Sequence, residues 1–182
     1  METEDKELLN RFRNPESRES AFNQLLSKYQ KRLYWHIRKM VIDHDDTDDI
    51  LQNTFIKVWK SLDNFREDAQ LYTWLYRIAT NECLTFLNKK KNNVTISISE
   101  IDYSLHEKVD SEKNYTGEQI QRKLQKAILT LPEKQRLVFN MKYFDGMKYE
   151  EMSAVLDTSV GALKASYPVS YTHLTLPTNR EV

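Results

Sequence analysis

The sequence is poor in residues that interrupt helices, and it has no excess charge of either sign. Its 182 residues include only three glycines and four prolines, and Lys+Arg and Asp+Glu both number 27. Few chain breakers favour helix over strand. A net charge of zero argues against a protein that coats nucleic acid through bulk charge. A local basic face beside an acidic segment would average to the same value, so DNA binding is not excluded.

Cysteine and long apolar runs are equally scarce. Cys83 is the only cysteine, so no internal disulfide can form, which is usual in a reducing compartment. No stretch approaches the ~18 continuous apolar residues of a membrane span. The acidic start, Met1 to Asp5, lacks the apolar run of a signal peptide. We therefore expect a cytoplasmic protein without membrane insertion.

Motifs of an enzyme are also missing. None of the four histidines has metal-ligand spacing with Cys83, and there is no glycine-rich phosphate loop or nucleophile motif. The acidic residues of 45–49 could suggest a divalent metal, but they lack the spacing and the turn glycine of a calcium loop. Because the acidic run 43–49 precedes an apolar pattern, it indicates helix capping. We predict a protein that is not an enzyme and uses no cofactor and no metal.

Apolar residues recur at steps of three and four along most of the chain, as in amphipathic helices. The pattern predicts helices over 14–42, from the acidic run to about Leu62, and over about 70–91. Asn14 and Pro15 are predicted to cap and begin the first of these helices.

Helical spacing returns over 119–167, after a net acidic stretch at 93–118. Asp157 to Ser159 are predicted to form a turn, and a new helix begins near Val160. Asp157 would tolerate a left-handed backbone at this turn. We therefore predict an all-α fold of two helical domains, joined by an acidic flexible linker over 93–118.

Two motifs resemble those of extracytoplasmic-function (ECF) sigma factors of bacterial RNA polymerase. Residues 48–59, Asp-Asp-Ile-Leu-Gln-Asn-Thr-Phe-Ile-Lys-Val-Trp, resemble the part of sigma region 2 that binds the clamp helices of core polymerase. Residues 131–139, Leu-Pro-Glu-Lys-Gln-Arg-Leu-Val-Phe, resemble region 4, which reads the −35 promoter element. They are followed at the usual distance by Tyr-Glu-Glu-Met at 149–152 and by Ser-Val-Gly-Ala-Leu-Lys at 159–164.

The resemblance implies a sigma factor that binds core RNA polymerase and directs promoter recognition and transcription initiation. It implies an N-terminal arm over 1–14, a region 2 helical bundle over 15–92 and a region 4 helix-turn-helix over 119–167. Promoter DNA would be bound as a duplex at −35 and in melted form at −10. Many members of the family are held by an anti-sigma factor, although nothing in the sequence identifies one.

The resemblance also assigns three sets of binding residues, and for each the ordinary alternative is a solvated helix face or core packing. The residues implied to bind polymerase are Asp48, Asp49, Gln52, Asn53 and Lys57. Those implied to bind the −10 element are Phe65, Tyr72, Trp74, Arg77, Asn81, Thr85, Asn88, Lys89, Lys90 and Lys91. Those implied to bind the −35 element are Ser159, Val160, Gly161 and Lys164. Aromatic rings suit a flipped base, Arg and Asn suit base edges, and lysines suit phosphates.

The pattern changes after Tyr167. Pro168 is expected to break the recognition helix, because proline lacks a backbone N–H. The stretch 169–178 resembles a translated transposon sequencing adapter. We therefore predict that residues 168–182 are a non-native tail on a C-terminally truncated chain.

Two alternatives remain open at this point. A stand-alone helix-turn-helix regulator would explain residues 131–167 but would leave the 48–59 motif without a role. A helical interaction protein that binds no DNA would explain the neutral charge but not the pair of motifs.

Overall fold

The fold is described from a computed structural model of the chain. It describes the backbone of residues 3–93 and 130–175, together with residues 124, 127 and 128. Side chains are described for 3–90 and 130–167 and for the same three residues. Throughout this part of the chain the regular secondary structure is helical, as predicted. Most of the predicted linker over 93–118 lies outside the described residues.

Seven α-helices make up the described part of the chain. In chain order they are α1 (Thr3–Arg13), α2 (Arg18–Val41), α3 (His44–Ser61), α4 (Leu71–Asn93), α5 (Glu133–Tyr143), α6 (Tyr149–Leu156) and α7 (Val160–Thr175), with a 3-10 turn at Leu62–Asn64 after α3. None of the described helices is long and apolar enough to cross a membrane.

The N-terminal arm is a packed helix, which was not predicted from the sequence. Leu8, Leu9 and Phe12 of α1 are buried against the rest of the first half. The predicted cap at Asn14-Pro15 is wrong, because Asn14 instead closes the turn between α1 and α2. Its side-chain oxygen accepts a hydrogen bond from the Glu16 amide at 3.1 Å, and α2 begins only after Ser17.

The acidic run 43–49 caps α3, as predicted. Asp43 is the N-cap residue, and its carboxylate accepts a hydrogen bond from the Asp46 amide at 3.0 Å. This bond lowers the pKa of Asp43 below its ordinary value, because it favours the charged form. Asp45 and Asp46 lie in the first turn, where carboxylates oppose the positive end of the helix dipole.

Helices α2, α3 and α4 form the body of the first half. Their facing sides bury apolar residues at helical spacing, including Leu33 and Ile37 of α2, Val58 of α3 and Leu75 and Ala79 of α4, all with no measurable exposure. Burying a side chain of this size contributes about 1.5–3 kcal/mol relative to leaving it in water.

The second half is a compact helix-turn-helix. Phe139 and Met141 of α5, Met152 of α6 and Leu163 of α7 are buried. Asp157 ends α6 with φ 51° and ψ 45°, the left-handed conformation expected for this turn. An aspartate adopts this conformation more readily than most residues, because its short polar side chain can bond locally.

Pro168 does not break the last helix, contrary to the sequence-based expectation. Helix α7 runs from Val160 to Thr175 and includes the proline. A proline removes only one backbone hydrogen bond, so the bonds of the flanking residues can carry a helix past it with a local kink.

The two halves pack directly against each other. Helix α6 packs on α4, and α5 contacts α2. As a result, one cluster of buried apolar side chains extends from Leu9 in the first half to Leu163 in the second. The relative position of the halves therefore matters for every surface described below.

Candidate polymerase and DNA interface

The predicted polymerase-binding side chains are exposed along α3. Asp48, Asp49, Gln52, Asn53 and Lys57 all face solvent, whereas Leu51, Phe55 and Val58 are buried on the opposite side. Gln52 and Asn53 lie three and four residues after Asp49, so the helix itself brings these three together. The structure leaves all five predicted residues exposed on α3.

An open apolar groove of about 620 Å³ lies beside this polar side. Phe22 and Leu26 of α2 and Phe55, Ile56 and Trp59 of α3 contribute to its walls, with Asp48, Asp49 and Gln52 at its edge. Ile56 is 45% exposed and therefore adds accessible apolar surface to the groove. An apolar floor with a polar rim is the usual composition of a protein-binding surface.

The charged residues around α3 differ in their internal partners. His44 lies 3.0 Å from Asp48, and Lys57 forms an ion pair with Glu82 of α4. Asp49, Gln52 and Asn53 have no hydrogen-bond or ion-pair partner among the described residues. These three are therefore the side chains best placed to bond an external partner.

The polar side chains of α4 form a second continuous surface. Arg77, Asn81, Thr85 and Asn88 are exposed on one side, while Leu75, Ala79 and Cys83 are buried on the other. Lys89 is exposed, and Lys90 pairs with Asp46 at 2.8 Å. The side chain of Lys91 lies outside the described residues. The expected grouping of Arg77, Asn81, Thr85 and Asn88 on one helix side is present.

The four aromatic residues near the start of α4 differ in exposure. Phe65 is only 6% exposed, with its ring centroid 5.1 Å from that of Trp74. Its prediction as a DNA contact is therefore at odds with its burial, because the ring offers no free face to a base. Tyr76 is also buried, whereas Tyr72 and Trp74 are partly exposed. Aromatic rings most often pack in the core. The local sequence does not show which of these four rings are buried and which are partly exposed.

The start of α7 has the predicted capping geometry. The hydroxyl of Ser159 accepts a hydrogen bond from the Ala162 amide at 3.2 Å. Gly161 and Lys164 are exposed and Val160 is partly exposed. The Lys164 ammonium lies 5.8 Å from the ring centroid of Tyr149. The four predicted −35 residues are therefore accessible at the helix N-terminus, which is the end that enters the major groove in helix-turn-helix proteins.

A buried polar cluster lies between the two halves and was not predicted from the sequence. His36 of α2 is fully buried, and its Nδ1 lies 2.7 Å from a carboxylate oxygen of Asp145, in the turn after α5. The other ring nitrogen lies 3.0 Å from the hydroxyl of Thr80. Lys39 approaches the second oxygen of Asp145 at 3.2 Å. The only local signal was a histidine within the apolar stripe of α2.

Burial alone would raise the pKa of Asp145. The hydrogen bond and electrostatic attraction of His36, together with those of Lys39, instead lower the pKa below its ordinary value. The carboxylate is therefore ionised while the two halves are in contact.

Comparisons with known proteins agree with both halves of the chain. The sequence matches the family description Sigma-70 region 2 over residues 25–93 and Sigma-70, region 4 over residues 121–167. It is 31% identical over 170 residues to the RNA polymerase sigma-H factor of Pseudomonas aeruginosa, covering 89% of this chain and 87% of that protein. It is 30% identical over 155 residues to the ECF RNA polymerase sigma-E factor of Escherichia coli K12, covering 81% of each.

Two solved structures share the fold. One is the sigma factor RpoE in complex with the anti-sigma factor NepR from Bartonella quintana, with a TM-score of 0.67 and 25% identity over 84% of this chain and 93% of that one. The other is CnrH in complex with the cytosolic domain of CnrY, with a TM-score of 0.68 and 23% identity over 94% of each chain. The chain therefore belongs to the sigma-70 family, in its ECF subfamily, and is a non-enzymatic sigma factor that binds core RNA polymerase and promoter DNA to direct transcription initiation.

Proposed function

We propose that this sigma factor docks on core RNA polymerase through the exposed side of α3 and the groove beside it. The observation that carries the proposal is the free hydrogen-bonding capacity of Asp49, Gln52 and Asn53 next to an apolar groove. The carboxylates would pair with basic residues of the polymerase, and Ile56 would be covered on binding.

The polar side of α4 would then contact the −10 element. Arg77 and Asn81 have the donor and acceptor patterns that base edges require, and Lys89 would bind phosphate. Tyr72 and Trp74 are the aromatic residues with enough exposure to stack on an unpaired base. The N-terminus of α7 would enter the major groove at −35, with Lys164 as its cationic contact.

Two further properties follow from this role. Polymerase and chromosomal DNA share the bacterial cytoplasm, so the protein would act there. The two solved structures were determined with NepR and with the cytosolic domain of CnrY, and NepR is an anti-sigma factor. We include an anti-sigma factor of unknown identity among the proposed partners.

The decisive experiment measures binding of the whole chain to purified bacterial core RNA polymerase. The variant Asp49→Ala/Gln52→Ala removes two polar side chains at a step of three. Loss of central interface contacts should weaken binding by roughly tenfold or more, since each ~1.4 kcal/mol is a factor of ten.

A matched control is available on α1. Glu7 and Asn10 are exposed, and they also place an acid and an amide three residues apart. Glu7→Ala/Asn10→Ala should bind as the unaltered chain does. Equal binding by the α3 variant and the unaltered chain would contradict the proposed docking surface.

A further inference from the structure

We infer that α1 sets the shape of the apolar groove beside α3, and that Phe12 is a positioning residue for polymerase binding. Phe12 does not line the groove, but it packs against two rings that do. The expected effect on binding rests on the proposed docking through α3 and the groove. The effect on the rings rests only on contacts within the chain.

Four aromatic rings from three helices pack together in the groove wall and behind it, and we call them the ring cluster: Phe12, Phe22, Phe55 and Trp59. The Phe12 ring meets Trp59 edge-on at 5.3 Å between centroids and lies 6.0 Å from Phe22. Phe22 in turn meets Trp59 edge-on at 4.9 Å and Phe55 at 6.4 Å. Edge-on pairs depend on the angle between the rings, so the orientation of each ring depends on its neighbours.

The members of the ring cluster differ in exposure. Phe12 is 2% exposed, whereas Phe22 and Trp59 are partly exposed because they form walls of the groove. A ring with solvent on one side can turn toward it unless packing on the other side selects one rotamer. Phe12 supplies that packing to Phe22 and Trp59 together. Helix α1 therefore fixes the position of these two walls.

Arg18 makes a second contact that holds the ring cluster in place. Its guanidinium carbon lies 4.2 Å from the centroid of the Phe12 ring and 5.1 Å from that of Trp59. The same guanidinium donates hydrogen bonds to both carboxylate oxygens of Asp63, at 2.5 and 3.3 Å. A planar guanidinium can stack on aromatic faces while it forms such a bidentate pair. Arg18 is therefore held by Asp63 and adds a rigid surface against the Phe12 and Trp59 rings.

The polar contacts at the other end of α1 attach the helix without touching the groove. The carboxylate of Asp5 accepts a hydrogen bond from the Tyr29 hydroxyl at 2.8 Å and from the Lys28 ammonium at 2.9 Å. None of these three residues lines the groove. The influence of α1 on the groove is therefore assigned to Phe12, at the end of the helix nearest to Trp59.

Fixed walls favour binding, because a partner then meets a groove that already has its final shape. Ordering side chains at an interface reduces affinity, and preorganised contacts avoid this cost. A partner segment that covers Ile56 would need the Phe22 and Trp59 rings in one position. Loss of the Phe12 ring should therefore weaken polymerase binding without removing any direct contact.

The test replaces the Phe12 ring while keeping an apolar side chain. Phe12→Leu should lower the affinity of the full chain for purified core RNA polymerase by roughly tenfold. Phe139→Leu is the matched control, because Phe139 is also 2% exposed but its ring packs on Tyr143 in the second half. This control should bind as the unaltered chain does. Urea denaturation would check that both variants remain folded and lose similar stability.

A second readout separates positioning from a general loss of stability. The chain has three tryptophans, Trp35, Trp59 and Trp74, which can be replaced by a fluorinated tryptophan and observed by fluorine NMR. Phe12→Leu should shift or broaden the Trp59 resonance of the free chain and leave the other two in place. Phe139→Leu should move none of them. Trp59→Phe assigns the resonance.

Arg18→Lys is an independent variant at a partly exposed position, so it should fold even if Phe12→Leu does not. Lysine keeps the charge opposite Asp63 but lacks the planar face that stacks on the rings. This variant should shift the same Trp59 resonance and weaken polymerase binding several-fold.

The outcomes separate this inference from the proposed function. An unchanged Trp59 resonance in both variants would overturn the positioning role. Unchanged polymerase binding by both, where Asp49→Ala/Gln52→Ala binds weakly, would overturn it as well. If the Trp59 resonance moves but all of these variants bind polymerase as the unaltered chain does, α1 shapes the groove as inferred and the proposed docking surface fails.

Discussion

At the scale of single residues, Ser159 has a structural role, and the proposed function gives it a recognition role as well. Its hydroxyl caps α7 through the Ala162 amide, and under the proposed function the same hydroxyl would face a DNA phosphate. The two roles can be separated because they differ in their response to negative charge.

Ser159→Ala should reduce the free energy of unfolding by about 1 kcal/mol, because the cap is lost. Ser159→Asp should retain the stability, since aspartate is also a good cap, but should weaken binding of holoenzyme to the −35 element. Urea unfolding and filter binding would measure the two effects. Tight −35 binding by Ser159→Asp would mean that Ser159 lies away from the phosphates.

Asp145 predicts a pH dependence with a definite sign. Its pKa in the folded protein lies below the ordinary value of 3.8, so its contribution to the packing of the two halves is present at neutral pH. This contribution is lost as pH falls through the lowered pKa, where the carboxylate becomes protonated. The groups facing it are His36 and Lys39 of α2, with the Tyr76 ring 4.7 Å from His36.

The free energy of unfolding should therefore keep the Asp145 contribution from pH 7 to about 4 and lose it below that value, as urea denaturation at a series of pH values would show. Asp145→Asn should reduce the acid-dependent change, because the titrating group is absent. An identical acid response in this variant would assign the loss of stability to other carboxylates.

At the scale of helices, α1 shows how a short segment gains stability from its neighbours. Phe12 is 2% exposed, and its ring packs edge-on against Trp59 of α3 at 5.3 Å. The Arg18 guanidinium covers the ring at 4.2 Å. The carboxylate of Asp5 is also buried and accepts a hydrogen bond from the Tyr29 hydroxyl at 2.8 Å. An isolated helix of this length would be marginal in water, so these contacts hold it in place.

Phe12→Ala should lower the free energy of unfolding by about 3–5 kcal/mol, through lost burial and the cavity left behind. Arg13→Ala is the control, because it removes only a partly exposed ion pair with Glu67 and should cost less than about 1 kcal/mol. Urea denaturation would compare them. A small effect of Phe12→Ala would show that α1 is not part of the cooperative core.

At the scale of the whole molecule, the two sigma regions behave as one packed body. The buried apolar cluster is continuous across them, although each half also has buried residues of its own. Cooperative unfolding depends on such shared contacts, because neither half can open without exposing apolar surface of the other.

Calorimetry should therefore show one heat-absorption peak for the unaltered chain. Asp145→Lys should split it into two, one for each half, since each keeps its internal helix contacts. Asp45→Lys should retain the single peak. Two peaks in the unaltered chain would indicate that the halves unfold independently.

Local features of this protein were determined by the sequence itself. The all-helical fold, the cap at Asp43, the left-handed Asp157 and the cap at Ser159 each depend on residues only a few positions apart. Such interactions can be read from spacing and side-chain chemistry. The grouping of Asp49, Gln52 and Asn53 on one side of α3 follows from helical periodicity for the same reason.

Other features were decided only by the tertiary structure. Phe65 and Trp74 are both aromatic, yet packing buries one and leaves the other partly exposed. The docking of α1, and the pairing of His36 with Asp145 across 109 positions, depend on contacts between distant segments. No periodicity encodes such contacts, because they form only when whole helices pack and bring the two sigma regions together.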